Sequence, residues 1–266
     1  MTSELHPPPV TLYPSPPCFE VLGVRVHAVN IPRVLEAVEA LLQQSGKGYI
    51  TVTGVHGIME CQRSAMVMKA HRNAWLVVPD GMPLVHIGRS IYGQREMRRC
   101  FGPDLMEALL AHSVSKGHTH FLYGGNPGVA ESLKTKLERK FPGLSIVGTY
   151  TPPFRPLNAQ ERHELLSLVE SLRPHFFWVG LSTPKQELFM AEYLPLLATQ
   201  IMVGVGAAFD YHNGTITRAP RWMQAAALEW LYRLLLEPRR LWKRYLINNP
   251  LFIGLLLLQA LGVRKS

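Results

Sequence analysis

His175-Phe-Phe-Trp-Val-Gly-Leu-Ser-Thr-Pro-Lys-Gln-Glu187 carries the strongest statement about the fold. From His175 to Leu181 the run is almost wholly apolar, as in a strand covered on both faces. Ser182 or Thr183 can then cap a helix, Pro184 suits its first turn, and Lys185, Gln186 and Glu187 project near its start. A strand that feeds directly into a helix is one unit of a parallel α/β sheet.

The same alternation extends in both directions. Val21–Val26, Tyr49–Thr53, Ala74–Val78, His120–Tyr123, Leu144–Gly148 and Ile201–Val205 read as further strands. Helical periodicity fills Ile31–Gln44, His56–Ala70, Pro103–Ser115, Pro127–Phe141, Asn158–Leu172 and Pro184–Leu194. The expectation is an α/β chain: a Rossmann-like, mostly parallel sheet with helices on both faces over residues 19–214. Residues 1–18, with six prolines, read as a disordered lead, and residues 215–266 as a basic helical appendage.

Charge separates these parts. The chain of 266 residues has a net charge of +9, and residues 215–266 hold nine Lys/Arg against two glutamates, a net of +7. The sheet domain is thus nearly neutral and the basicity is local, which points to an anionic partner for the appendage. Three scattered cysteines, Cys18, Cys61 and Cys100, suit a reducing compartment, and no secretory leader pattern opens the chain.

Ligands of open parallel sheets bind beyond the carboxyl ends of the strands. The chain has only three aspartates, and two of them, Asp80 and Asp210, lie at such ends beside glycines. Asp104 sits at a helix start and reads as a cap. The turn in Phe121-Leu-Tyr-Gly-Gly-Asn-Pro-Gly128 brings Gly124 and Gly125 to a strand–helix junction. Free N–H groups at that junction, and at the one bearing Lys185 and Gln186, suit a phosphate. His56 follows a strand end, where substrate contact and helix packing are both open readings. There is no Walker A sequence, no correctly spaced G-x-G-x-x-G after the first strand, no H-E-x-x-H and no D-x-D pair. These absences count against a nucleoside triphosphatase, an ordinary dehydrogenase and a dedicated metal centre. A diphosphate would be held by Arg, Lys and backbone donors instead.

The appendage supplies such donors. Arg233, Arg240 and Arg244 recur at helical intervals among Trp230, Tyr232, Trp242 and Tyr245, a composition that suits a membrane interface. Leu251–Val263 is strongly apolar but shorter than the ~20 residues that span a bilayer. No nucleic-acid module is recognisable, so nucleic acid is not an expected partner.

Gly180-Leu-Ser-Thr-Pro-Lys-Gln-Glu187, Gly204-Val-Gly-Ala-Ala-Phe-Asp210, Arg218-Ala-Pro-Arg-Trp222, Leu228-Glu-Trp-Leu-Tyr-Arg233 and Glu237-Pro-Arg-Arg240 together resemble the WecG/TagA/CpsF family of bacterial glycosyltransferases. The likeness covers about residues 20–248. It implies inverting, metal-independent transfer from a UDP-sugar to an undecaprenyl-diphosphate-linked saccharide, with no cofactor. By position, Asp80 matches the proposed catalytic base, Thr53 a threonine near the sugar, and Arg99 an arginine near the diphosphate. Gln186 matches the glutamine of the Pro-Lys-Gln-Glu segment, and Arg233 and Arg240 match arginines that close over the site. The family's usual Thr-x-Asn-Pro is here Thr53-Gly-Val-His56, which leaves open N-acetylmannosamine, its uronate or a hexose such as glucose. Tyr150-Thr-Pro-Pro-Phe154 likewise replaces the usual Gly-Tyr-Phe.

The expected protein is therefore a cytoplasmic glycosyltransferase peripheral to the inner face of the bacterial plasma membrane. Trp242, Arg244, Tyr245 and residues 251–263 are its expected membrane contacts, and a homo-oligomer is open. The alternative is a non-catalytic module that binds membrane or polyanion through the appendage.

Overall fold

A computed structural model describes residues 16–225 and 228–263. The expected disordered lead lies outside the described residues as far as residue 15. The first expected strand, Val21–Val26, is instead the centre of a hairpin. Strands β1 (Cys18–Val21) and β2 (Val24–His27) pair antiparallel and form a sheet of their own. Leu22 and Gly23 both take positive φ, 53° and 75°, the twist a two-residue hairpin turn requires.

The main sheet has six strands: β3 (Gly48–Thr53), β4 (Leu76–Pro79), β5 (Thr119–Gly124), β6 (Ser145–Tyr150), β7 (Phe176–Gly180) and β8 (Ile201–Gly204). Their order is β4-β3-β8-β7-β5-β6, and every pairing is parallel. Successive side chains point to opposite faces. Phe177 and Val179 thus enter one core, while Phe176 and Trp178 enter the other.

The first face carries α2 (Val55–Arg63), α3 (Ala65–Asn73), α4 (Met82–Ser90), α7 (Ala159–Leu172) and α8 (Lys185–Tyr193). The second carries α1 (Ile31–Gln43), α5 (Gly102–Lys116), α6 (Val129–Lys140) and α9 (Ala208–Asn213). The single helix expected over 56–70 is broken at Ser64, which is extended (φ −140°, ψ 117°) and accepts a hydrogen bond from the Val67 N–H as cap of α3. Strand β8 sends α9 to the second face, whereas its neighbours β3 and β7 send α2 and α8 to the first. The chain parts on both sides of β8, which opens a crevice at its carboxyl end.

Four helices follow: α10 (Arg221–Ala225), α11 (Glu229–Leu236), α12 (Pro238–Leu246) and α13 (Asn248–Ala260). Helix α13 folds back onto the sheet domain. Phe252 is buried in the first core, and Gln259 Oε1 accepts the Leu22 N–H at 3.1 Å. Buried Asn248 accepts from Arg63 Nη2 at 2.5 Å and donates to His56 Nδ1 at 3.1 Å. The opposite face of α13 leaves Leu251, Ile253, Leu257 and Leu258 exposed. Among the described residues, no helix is long and apolar enough to cross a membrane.

Candidate active site

Asp80 directly follows β4 and is held from three directions. Its N–H donates to Thr53 O at 2.9 Å, and its carbonyl accepts Arg99 Nε at 2.6 Å. Its Oδ1 accepts the Gly102 N–H, at 3.3 Å, in the first turn of α5. The helix dipole and the free N–H groups there favour an anion, so the carboxylate sits where its charge is stabilised. The other oxygen, Oδ2, is turned toward Gly54 at the end of β3; a Cβ on Gly54 would lie 3.8 Å from it.

Thr53 is adjacent, but its side chain is engaged below the crevice. His71 Nδ1 bonds the Val67 carbonyl at 3.0 Å, its Nε2 lies 3.3 Å from Thr53 Oγ1, and Thr53 Oγ1 donates to Thr51 Oγ1 at 3.2 Å. Thr53 supports the floor through its carbonyl bond to Asp80, while its hydroxyl faces the first core.

The appendage roofs this floor. Arg99 forms an ion pair with buried Glu229 of α11, and Arg218 Nε lies 3.8 Å from the other oxygen of Glu229. Arg218 also clamps Asp104 with two bonds of 2.6 and 2.8 Å. Asp104, expected as a cap, is thus a tether for the segment leading into the appendage. The guanidinium groups of Arg99 and Arg218 lie 4.2 and 5.2 Å from the centre of the Phe101 ring.

Arg233 lies 5.5 Å from the centre of the Tyr211 ring and donates to Glu237 Oε1 at 3.0 Å. Arg240 reaches the other oxygen of Glu237 at 2.5 Å. Asp210 is half-buried beneath them. Burial pushes its carboxyl above the usual range, and Arg240 and Arg233 counter that rise.

Arg244, expected at the membrane, belongs here instead. Burial lowers its pKa, while nearby Tyr245 and Asp80 favour the charged form. Among the described residues its Nε is buried without a partner, as is that of Arg233. Guanidinium groups with free donors are suited to charge-assisted hydrogen bonds with an anion. The sequence reading placed Arg244 by composition alone; its position on α12 relative to Asp80 is a tertiary fact.

His56 is neutral in this setting. Burial, then Arg244 and Arg63, lower its pKa to about 4. With Nδ1 occupied by Asn248, the ring joins α2 to α13, which favours the packing reading over substrate contact.

Gly124 and Gly125 have a packing reason to be glycine. Gly124 (φ 124°) could not carry a Cβ, which would lie 2.6 Å from Gly180 O, and Gly125 N–H donates to that same carbonyl at 3.2 Å. Across the crevice, Ser182 has φ 65°, a sparsely populated conformation for a residue other than glycine. Lys185 is exposed at the start of α8. Gln186 and Glu187 are buried below it, and Gln186 borders Gly204 and Gly206 at the end of β8.

Tyr211 and Glu229 are the residues of this candidate site that sequence reasoning missed; Arg244 had two readings there, as a diphosphate donor and as a membrane contact. Tyr211 directly follows Asp210, and its hydroxyl pKa is raised by burial, with Arg233, Asp80, Tyr245 and Arg99 all in electrostatic reach. A 500 Å³ cavity lined by Lys47, Arg173, His175 and Gln200 lies at the opposite ends of the strands and contains none of these groups.

Fold and site together define an α/β protein with a carboxylate at the end of a parallel strand, under arginines borne by C-terminal helices. The model of the glycosyl transferase WecG/TagA/CpsF family matches residues 19–266, and the chain belongs to that family. It is a glycosyltransferase of cell-surface polysaccharide synthesis, a role that calls for a sugar donor and a lipid-linked acceptor.

Proposed function

We propose that this glycosyltransferase moves a sugar from a UDP-sugar to an undecaprenyl-diphosphate-linked saccharide, with inversion and without a metal ion. The sugar is N-acetylmannosamine, its uronate or a hexose such as glucose. The observation that carries the reading is the presence, around one site, of Asp80, of Arg244 in its electrostatic reach, and of buried Nε groups on Arg233 and Arg244 that have no partner among the described residues.

In this reading an acceptor hydroxyl attacks the anomeric carbon from the face opposite UDP. The bond from that carbon to the diphosphate oxygen breaks, and the hydroxyl proton passes to the Asp80 carboxylate. UDP leaves with an added negative charge. Arg233, Arg240 and Arg244 supply positive charge for it, and Arg99 joins them where Glu229 gives way. Interactions that strengthen as this charge develops are those that raise the rate.

Catalysis then belongs at a membrane surface. The outer face of α13 and the side chains of Trp222, Leu235, Trp242 and Leu246 are apolar and exposed, and the cations Arg239 and Lys243 of α12 are exposed too. Apolar side chains flanked by cations suit the interface of an anionic bilayer.

The test is a panel of UDP-sugars with polyprenyl-diphosphate-linked saccharides, assayed with and without a chelator. Transfer from one UDP-sugar that survives chelation is the expected result. Absence of both transfer and UDP binding sinks the reading and favours the non-catalytic membrane-binding alternative.

A further inference from the structure

Residues 86–99 hold four arginines against one glutamate, in a domain that is otherwise nearly neutral. Arg99 bonds the Asp80 carbonyl and Glu229. The other three arginines face elsewhere. Arg89, Arg95 and Arg98 line, with His86, Ser90 and Glu96, an open cavity of 660 Å³ between α4 and the segment that follows it. Its walls are fixed. Met97 is buried against Gly88 of α4, where a Cβ would lie 2.3 Å from its Sδ. The Gln94 N–H donates to Gly88 O at 2.9 Å, Asn30 Nδ2 to Glu96 O at 3.1 Å and the Arg98 N–H to Val29 O at 3.1 Å. Arg98 Nη1 donates to the carbonyls of Arg95 and Met97 at 2.6 and 2.9 Å, which holds its guanidinium at the wall. Exposed Arg155, Arg162 and Arg173 each have a glutamate partner. Among the described residues Arg89, Arg95 and Arg98 have none. Cations gathered on one wall repel one another, and an anion bound between them relieves that repulsion.

We infer that this cavity takes the diphosphate of the lipid-linked acceptor, with the saccharide running from it to Asp80 and the lipid chain leaving over Ile91 and Tyr92. The identity of the ligand rests on the transferase reading above. That reaction holds two diphosphates at once, the donor's and the acceptor's, and two such anions repel if they share one set of arginines. Arg233 and Arg244 serve the donor. The second set must lie beside Asp80 and not over it, because an acceptor saccharide carries its diphosphate at one end and offers its hydroxyl further along. The cavity meets that condition. Helix α4 starts at Met82, two residues after Asp80, and rises about 6 Å to His86 and about 10 Å to Arg89. Arg98 adjoins Arg99, whose Nε holds the Asp80 carbonyl. Ile91 and Tyr92 directly follow Ser90 of the cavity wall and are 64% and 40% exposed. Tyr92 is anchored by stacking on Phe19 at 4.7 Å and by donation to Glu20 O at 2.8 Å. An apolar step next to a group of cations suits an amphiphile, where a free phosphate would use the cations alone.

Calorimetry on the full chain tests it, with geranyl diphosphate as the probe and UDP at saturation, so that the arginines of the appendage are occupied. The wild type should bind the probe. Arg89→Gln combined with Arg95→Gln should weaken the probe about tenfold or more and leave UDP affinity unchanged. Loss of probe binding on saturation with UDP means that one site serves both, and overturns the inference. An unaltered probe affinity in the double variant does the same. Glu96→Gln removes the one acid of the cavity and should tighten the probe about threefold. An unchanged or weaker affinity places the probe elsewhere. In the transfer assay, the double variant should raise KM for the lipid-linked acceptor about tenfold or more while KM for the UDP-sugar stays as in wild type. An equal rise in both overturns the assignment to the acceptor. Phosphatidylglycerol vesicles separate a phospholipid headgroup from the acceptor. The double variant should sediment with them as the wild type does; loss of sedimentation with probe affinity kept assigns the cavity to the bilayer surface instead. If UDP does not bind and no UDP-sugar is turned over, the transferase reading fails, and loss of the probe in the double variant still upholds the diphosphate site.

Discussion

Arg99 and Glu229 form an ion pair that joins the segment after β4 to the first turn of α11. With Arg218 on the second oxygen of Glu229 and on Asp104, it is a polar tie between the sheet domain and the roof of the site. Removal of one partner of such a pair leaves the other charge uncompensated where it is half-buried. Glu229→Ala should therefore loosen the roof. Limited proteolysis is expected to cut faster between residues 214 and 237, and transfer should fall about tenfold or more. An unchanged proteolytic pattern would show that the pair is not the tie.

Asp80→Asn keeps an oxygen for the Gly102 N–H but removes the base. Turnover should fall by about a hundredfold or more, with the circular dichroism spectrum unchanged. Near wild-type turnover in the folded variant would remove Asp80 from the chemistry.

Arg244 separates ligand binding from membrane binding. Arg244→Ala should weaken UDP, measured by calorimetry, about tenfold, as befits loss of a charge-assisted contact. Its co-sedimentation with anionic vesicles should remain. Leu257→Asp together with Trp242→Ala should do the reverse, since both side chains are exposed on the appendage. Arg244→Ala that loses vesicles but keeps UDP would return the residue to the membrane role its composition suggests.

Acid should destabilise the fold in a defined window. Burial lowers the pKa of His27 and of His56 to about 4 and that of His120 to about 3, from an ordinary 6.5. The unfolded chain therefore takes up protons that the folded chain refuses, so stability falls as pH drops below about 6.5. The loss levels off once the folded values are passed. Each site contributes at most about 1.4 kcal/mol per pH unit. Thermal unfolding from pH 8 to pH 4.5 should show Tm flat above pH 7 and falling below it. His56→Asn should reduce that slope, and an identical slope would argue against a neutral His56 at the joint of α2 and α13.

What was legible in the sequence was what near neighbours decide. The continuous apolar run at Phe176–Val179 specifies a strand covered on both faces, and its passage into Pro184–Glu187 specifies a strand–helix unit. The position of Asp80 directly after a strand follows from the same local pattern, whereas Asp210, also expected at a strand end, lies in the first turn of α9. Chain totals likewise place the basicity after residue 214. Local pattern misled where one turn changes everything. Leu22 at positive φ folds a single expected strand into a hairpin outside the sheet, and one extended residue, Ser64, splits an expected helix.

Only the tertiary structure decided what each charged group faces. Arg240, Lys243 and Arg244 lie within one helical stretch, yet Arg244 is largely buried and within electrostatic reach of Asp80 while Lys243 is exposed beside Trp242. Helix α12 leads into α13, which is pinned by Phe252, Asn248 and Gln259 to the first core, α2 and the hairpin. Those contacts join residues far apart in the chain, and burial, not composition, turns a basic side chain from a lipid contact into part of a site.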